Sequence, residues 1–135
     1  MTPLQCLQSL LRRWSQAAST WDASALGDCY TVDAALHGGR PGHSLGQQAI
    51  IAYFASYDGV IRSGVVMALD QEVAQPCKGV LVAQGHMRMV FVLSDGRETV
   101  SVLRSTWVLQ EQEGDWKIWR HHFSPVPEAP PLGDA

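Results

Sequence analysis

The last third of the chain contains three segments in which apolar and polar residues alternate. The alternation runs from Val80 to Phe123 and pauses twice, at Asp95-Gly96 and at Gly114-Asp115. A period of two is typical of β-strands, and glycine next to aspartate favours the tight turns of hairpins. These residues therefore predict three consecutive antiparallel strands. Such a sheet needs a cover for one of its faces, which restricts what the first half of the chain can form.

The N-terminal residues predict helices. Apolar residues recur at helical spacing over Pro3–Ala18, with Thr2 placed as an N-cap and a proline at the first helical position. Asp22 is suited to cap a second, short helix that ends near Tyr30. We therefore expect one long and one short helix before the first strand.

The middle of the chain mixes helix, strand and loop signals. Val32–His37 predicts a short strand, and the glycine-rich stretch Gly38–His43 predicts a loop. Leu45–Tyr57 places its apolar residues on one broad face and predicts a third helix that stops at Asp58-Gly59. Val60–Val73 alternates loosely, as a strand would, before a turn at Pro76–Gly79.

The element order predicts an α+β fold. Three N-terminal helices would pack on a strongly curved, mostly antiparallel sheet and form a cone-shaped roll. Residues 1–124 are expected to form this single domain, because no repeat or second apolar core is visible, and residues 125–135 carry four prolines and predict a fraying tail. Cones of this kind hold small molecules.

Composition excludes several classes of partner. Only 17% of the 135 residues are charged, the net charge is -3, and the ten basic residues are scattered, so a nucleic-acid surface is not expected. No apolar run reaches the roughly 18 residues of a membrane span, and the N-terminus lacks a signal-peptide pattern, which predicts a cytoplasmic protein. The three cysteines lack metal-ligand spacing and are interpreted as packing residues.

The order helix, helix, short strand, helix and four strands resembles the nuclear-transport-factor-2-like superfamily, also called the SnoaL-like or ketosteroid-isomerase-like cone. The C-terminal part is similar to the association domain of calcium/calmodulin-dependent protein kinase II. The matching residues follow one another without a gap and are Gly96-Arg97, Thr106, Gly114, Trp116, Ile118, His122 and Ser124 to Pro127. Because this fold supports cyclases, isomerases, dehydratases, hydrolases and assembly domains, the resemblance leaves the function open.

The resemblance implies an apolar cavity. The association domain lines its cavity with arginines on the last three strands, and the corresponding positions here are Met87, Trp107 and Phe123. An apolar lining favours a ligand with a large apolar body. The expected lining residues are Trp14, Tyr53, Tyr57, Met87, Trp107 and Phe123. The alternative is that these side chains fill the cone and leave no cavity.

Comparison with steroid isomerases suggests where a catalytic base would lie. The position of their carboxylate base falls on His37, and the position of their oxyanion-binding tyrosine falls on Trp14. Their sheet carboxylate has no counterpart, because Thr99–Leu109 contains no acidic residue. Since imidazole titrates near neutral pH, His37 or His121 is the candidate base. By alternation His121 shares the cavity face with Trp119, unless a bulge inverts one of them.

A metal site is not expected from the remaining histidines. His121 and His122 are adjacent on a strand and point to opposite faces, so they cannot bind one ion together, and His86 has no carboxylate at a supporting spacing. No nucleophile motif or nucleotide-binding loop is present, so no cofactor is predicted.

Two functions from different classes remain. One is a cofactor-independent isomerase, cyclase or dehydratase that moves a proton on an apolar, carbonyl-bearing molecule, with His37 or His121 as base. The other is a non-catalytic dimeric domain that binds a small apolar ligand or assembles with partners. The resemblance implies a homodimer that forms through the outer sheet face, near Arg88, Arg104 or Arg120.

Overall fold

A computed structural model describes residues 1–134. Three helices precede or interrupt the first strands, and the chain then continues as a meander of long strands. The elements are α1 (Pro3–Ala18), α2 (Ala23–Gly27), β1 (Tyr30–His37), β2 (Ser44–Leu45), α3 (Gln47–Ala55), β3 (Ile61–Ala68), β4 (Glu72–Cys77), β5 (Val80–Leu93), β6 (Glu98–Gln112) and β7 (Asp115–Pro125).

The strands form one curved sheet in the order β2-β1-β7-β6-β5-β3, with β4 paired to the other end of β5. All pairs are antiparallel except β1 with β7. The two hairpins predicted from the turn signals join β5 to β6 and β6 to β7. The register of the second hairpin shifts between Val108 and Leu109, where Val108 pairs with Arg120 and Leu109 with Ile118, which leaves Trp119 as an extra residue on β7.

Helix α1 covers the inner face of the sheet because its apolar residues follow the helical period. Thr2 and Gln5 form a capping box at its start. Leu7 and Leu10 are completely buried and Trp14 is 1% exposed, while the opposite side of the helix faces solvent. Burying these side chains supplies most of the free energy that holds the helix to the sheet.

The two faces of the sheet differ in composition. On β5 and β6, the odd-numbered residues such as Met87, Met89, Trp107 and Leu109 point inward and are buried. The even-numbered residues point outward, away from the core, and are mostly valines in the outer parts of the strands. No helix within residues 1–134 combines the length and apolarity needed to cross a membrane.

The predicted α+β cone is confirmed, with differences in the extent of individual elements. The first strand begins at Tyr30 rather than Val32, because α2 already ends at Gly27. The stretch predicted as one loose strand, Val60–Val73, is the two strands β3 and β4, which pair with different parts of β5. The short strand β2 was not predicted. The end of the predicted tail, Ala135, lies outside the described residues.

Candidate functional site

An apolar cavity lies between the helices and the inner face of the sheet. Its volume is about 260 Å³. Aromatic and aliphatic side chains from α1, α3, β3, β5, β6 and β7 form most of its wall. The lining residues are Trp14, Trp21, Gly39, Tyr53, Phe54, Tyr57, Val60, Ile61, Met89, Phe91, Leu93, Ser101, Leu103 and Phe123.

Trp21 joins the walls of the cavity to one another. Its indole ring makes edge-to-face contacts with Trp14, Phe54, Tyr57 and Phe91, with ring centroids 6.0 to 6.4 Å apart. Its Nε1 donates a hydrogen bond to the Phe54 carbonyl oxygen at 3.0 Å. Trp21 has a φ of 49°, in the left-handed region that a bulky residue rarely adopts. These contacts offset the backbone strain and fix the ring at the cavity wall.

Two glycines let aromatic rings approach the backbone. A Cβ at Gly64 would lie 2.9 Å from the ring of Phe91, its cross-strand partner, and a Cβ at Gly38 would lie 2.3 Å from the Tyr53 hydroxyl oxygen. The rings occupy the space that side chains at these positions would need. Both glycines therefore help to define the shape of the cavity.

The mouth of the cavity is held by the loop after β1. The Gly39 amide donates a hydrogen bond to the Tyr53 hydroxyl at 2.8 Å, and burial raises the pKa of Tyr53. Arg40 donates to the Ser56 hydroxyl and carbonyl oxygens at 3.2 and 3.1 Å, and its guanidinium lies 4.3 Å from the Tyr57 ring centroid. The loop and the end of α3 thus form one continuous rim.

His121 lies on the inner face, as alternation predicts, and is buried beside the cavity. Its ring stacks on Trp107 with centroids 3.7 Å apart and lies 5.1 Å from Phe123, which lines the cavity. Its Nδ1 shares a hydrogen bond of 2.9 Å with the Tyr30 hydroxyl. Burial lowers the pKa of His121 from 6.5 to about 3, with a smaller effect of the neighbouring His122, so the imidazole is neutral near pH 7.

Two buried nitrogen atoms near the cavity have no hydrogen-bond partner among the described residues. They are Nε2 of His121 and Nε1 of Trp14. The Tyr30 hydroxyl lies between these two side chains, and burial raises its pKa well above 10. Depending on the tautomer, His121 Nε2 either donates or accepts, so the pair Tyr30–His121 offers one free polar atom at this position.

Apart from His37, the predicted site residues fall into three groups in the structure. Trp14, Tyr53, Tyr57 and Phe123 line the cavity. Met87 and Trp107 face inward but are fully packed in the core and do not line it. His121 is buried behind Phe123.

His37, proposed as a base, lies elsewhere. It is exposed, pairs with His122 across β1 and β7, and packs against the His43 ring at 4.0 Å on the outer side of the sheet. The next two residues, Gly38 and Gly39, approach the Tyr53 hydroxyl at the mouth with their backbone, and the His37 side chain does not. The comparison with steroid isomerases therefore placed the position of a base on a residue of the outer face, away from the cavity.

The expectation that Trp119 shares the cavity face with His121 is wrong, because β7 contains a bulge. Ile118 and His121 point inward, so the extra residue moves Trp119 to the outer face, where the Arg120 guanidinium stacks on its ring at 4.3 Å. The sequence analysis also missed several lining residues. Three of them could have been found, because odd-numbered residues of β5 face inward as Met87 does. They are Met89, Phe91 and Leu93. Trp21 carried no such signal, because it lies in an irregular turn.

The sequence matches the SnoaL-like domain family over residues 7–128. The chain belongs to the SnoaL-like family. The predicted resemblance is thereby confirmed. Among curated proteins, none matches the sequence significantly.

Similar solved structures show the same fold at low sequence identity. A protein from Xanthomonas campestris, described as a candidate calcium/calmodulin-dependent protein kinase II association domain, has 21% identity and a TM-score of 0.82, over 91% of this chain and 87% of its own. A nuclear-transport-factor-2-like superfamily protein from Salmonella enterica serovar Typhimurium has 18% identity and a TM-score of 0.75, over 96% of both chains. A ketosteroid-isomerase-like protein from Erwinia carotovora atroseptica has 16% identity and a TM-score of 0.72, over 92% of this chain and 96% of its own. At these identities the likeness concerns the fold alone.

The buried imidazole predicts how stability depends on pH. Between about pH 6.5 and 3 the unfolded chain binds a proton at His121 that the folded chain does not bind, so the free energy of unfolding falls as the pH falls. His121→Gln should flatten this dependence by roughly 1 kcal/mol per pH unit, measured by urea unfolding at several pH values in that window. His43→Gln, on the exposed loop, should retain the wild-type slope. Equal slopes for wild type and His121→Gln would contradict a buried neutral imidazole.

Proposed function

We propose that this protein binds a small, largely apolar molecule in the cavity. The observation that carries this proposal is the void itself: about 260 Å³ remain open although fourteen residues, most of them large and apolar, surround it. Well-packed interiors contain few voids larger than a water molecule. A void this large, walled by rigid rings, is typical of a ligand site.

The chemistry of the wall indicates the kind of ligand. The polar groups that reach the cavity are the hydroxyls of Tyr53, Tyr57 and Ser101, and no carboxylate or imidazole of residues 1–134 lines it. A charged group placed among the aromatic rings would lose its hydration without a counter-charge. The ligand is therefore neutral in its buried part, with any hydroxyl or carbonyl directed at the tyrosines of the mouth.

A cavity-filling substitution tests this proposal. Leu103→Trp should lower the affinity for the neutral fluorescent probe phenylnaphthylamine at least about tenfold, because an indole would occupy most of the space available to the probe. Val32→Trp, which is 78% exposed on β1, is the matched control and should bind as wild type does. The measurement is quenching of tryptophan fluorescence on titration. Unchanged affinity in a folded Leu103→Trp variant would refute the site.

Proton transfer at the cavity is a second candidate function, and the unpartnered Nε2 of His121 favours it. This atom is separated from the cavity by the ring of Phe123, which contacts the imidazole. A ligand whose carbon next to a carbonyl group reached Nε2 could pass a proton from that carbon to the imidazole and become an enolate, which takes the proton back on return, while Tyr30 would hold the other ring nitrogen. Burial, which lowers the pKa of His121 to about 3, makes the neutral imidazole a weak base, and the negative charge of the enolate formed in the same step would stabilise the imidazolium. One similar solved structure is named as ketosteroid-isomerase-like and another as a candidate scytalone dehydratase, which agrees with such chemistry.

Deuterium exchange distinguishes catalysis from binding alone. If His121 accepts a proton, the protein should accelerate deuterium incorporation at the carbon next to the carbonyl of tetralone in heavy water, followed by proton NMR. His121→Gln should abolish the acceleration yet keep the affinity for phenylnaphthylamine within about threefold, since His121 does not line the cavity. Binding of tetralone without any exchange would leave the non-catalytic function in place and exclude this one.

We also propose a homodimer that forms through the outer face of the sheet. Four apolar side chains on this face, Val65, Met67, Val100 and Val102, are 47% to 51% exposed. Val65 and Val100 both flank Val90 across the strands, so the exposed residues are contiguous rather than scattered. Arg88, between Met67 and Val102, lies within this patch. A self-complementary contact between two such faces would remove the patch from water.

The mass in solution tests the dimer. Light scattering at micromolar concentration should give twice 14.8 kDa for the wild type. Val65→Glu should give the monomer mass, because two buried carboxylates would face the apolar patch of the other copy. Leu4→Glu, at a similarly exposed position on α1, should remain dimeric. A wild-type monomer across the concentration range would overturn the proposal.

A further inference from the structure

The outer face of the sheet changes character in the middle of its long strands. Val82 and Val108 face each other near one end, and Val90 and Val100 face each other near the other end. Between these pairs lie two cross-strand rows of polar residues and, next to Val90 and Val100, the pair of Arg88 and Val102. The first row is Gln84, Thr106 and His122, and the second is His86, Arg104 and Ser124.

These two rows form a groove that is distinct from the apolar cavity. Its volume is about 400 Å³, and it opens on the opposite side of the sheet. Outer faces of sheets are often polar, and that fact alone would explain scattered polar residues. Here, however, the polar residues form a compact set, and many of the residues around them on the same face are valines. On an ordinary solvated face, polar residues surround scattered apolar ones.

The groove offers mainly hydrogen-bond donors. Gln84 donates its amide to the Thr106 Oγ1 at 3.1 Å, which leaves the Thr106 hydroxyl proton free. Like Arg12 and Arg88, Arg104 makes no hydrogen bond or ion pair with any residue of the described range 1–134, whereas Arg40, Arg62 and Arg97 all do. The groove therefore contains a guanidinium without a counter-charge.

One side chain of the groove is held in a fixed orientation from outside it. Asp70, in the turn between β3 and β4, accepts hydrogen bonds from the His86 amide at 2.7 Å and from His86 Nδ1 at 3.0 Å. The same hydrogen bonds lower the pKa of Asp70, the bond from the amide most strongly. Nδ1 of His86 therefore carries a proton, and Nε2 of the neutral ring is a hydrogen-bond acceptor, so the donors to an anion come from the other side chains of the groove. The Asp70 carboxylate does not line the groove.

From this arrangement we propose that the groove binds a small oxyanion, a carboxylate or phosphate group of a metabolite, with Arg104 as its counter-charge. The guanidinium presents two parallel N–H groups that match a carboxylate or phosphate, and the hydroxyls of Thr106 and Ser124 supply further donors. All six polar side chains come from one copy of the chain, so the site does not depend on the proposed dimer or on the apolar cavity.

Titration with simple anions tests the site. Inorganic phosphate and succinate represent the two possible groups, and sodium chloride at equal ionic strength controls for screening. We expect phosphate or succinate to shift the imidazole NMR signals of His86 and His122 with a saturable curve. Arg104→Gln should weaken this binding about tenfold or more, and Arg12→Gln, which removes the same charge from the exposed side of α1, should not change it.

Further measurements separate this site from the other two proposals. Arg104→Gln should bind phenylnaphthylamine as the wild type does, and Val65→Glu should bind the anion as the wild type does, whether or not it is monomeric. The proposal is overturned if neither anion gives a saturable shift, if chloride gives the same shift at equal ionic strength, or if a folded Arg104→Gln variant binds with wild-type affinity.

Discussion

The open cavity depends on edge-to-face packing of aromatic rings around Trp21. One indole contacts Trp14 of α1, Phe54 of α3 and Phe91 of β5, so the three walls of the cone are fixed relative to one another. Each such pair contributes about 0.5–1.5 kcal/mol beyond the burial of its surface. Rings also resist collapse, because they have few rotatable bonds and already contact other rings at their edges. A wall of methionines in the same place would be expected to fill the void instead.

The polar atoms of the interior are concentrated at one side of this wall. Burial of a donor or acceptor without a partner costs about 1–3 kcal/mol, so the unpartnered nitrogens of Trp14 and His121 are unfavourable in the empty protein. The low pKa of His121 follows from the same dry surroundings, which disfavour the imidazolium. The apolar cavity and the neutral imidazole thus have one physical cause. A ligand that brings a complementary polar atom to this side would bind with a more favourable free energy than apolar burial alone provides.

The fold could be predicted because its signals are local and repeated. Strand alternation and two turns fixed the long hairpins, and the inward direction of His121 followed from parity alone. The site was predicted only in part. Alternation along a strand shows which face of the sheet a residue occupies, but not how far along the cone it lies. Met87 and Trp107 have the expected face yet lie in the packed part of the cone, while Phe91 and Leu93 have the same face near the mouth.

The remaining errors have a different physical origin. Trp119 was placed inward because one additional residue on β7 reverses the face, and the sequence carries no mark of that bulge. Trp21 was missed because its role depends on a left-handed backbone conformation that tertiary contacts impose. Both cases concern irregular backbone, where side-chain direction is decided by packing rather than by a period.

Alternation also gives this sheet two independent surfaces. Substitutions at odd-numbered positions of β5 and β6 alter the cavity or the core, and substitutions at even-numbered positions alter only the outer face. The sequences of the two surfaces can therefore change independently of each other. Within the outer face, the six polar residues of the groove lie together in the middle of the strands, and Arg88 lies within the apolar patch beside them. Desolvating a valine row is favourable, whereas desolvating Arg104 without a counter-charge is costly. A dimer contact is therefore more favourable when it covers the apolar patch and leaves the groove with Arg104 in water.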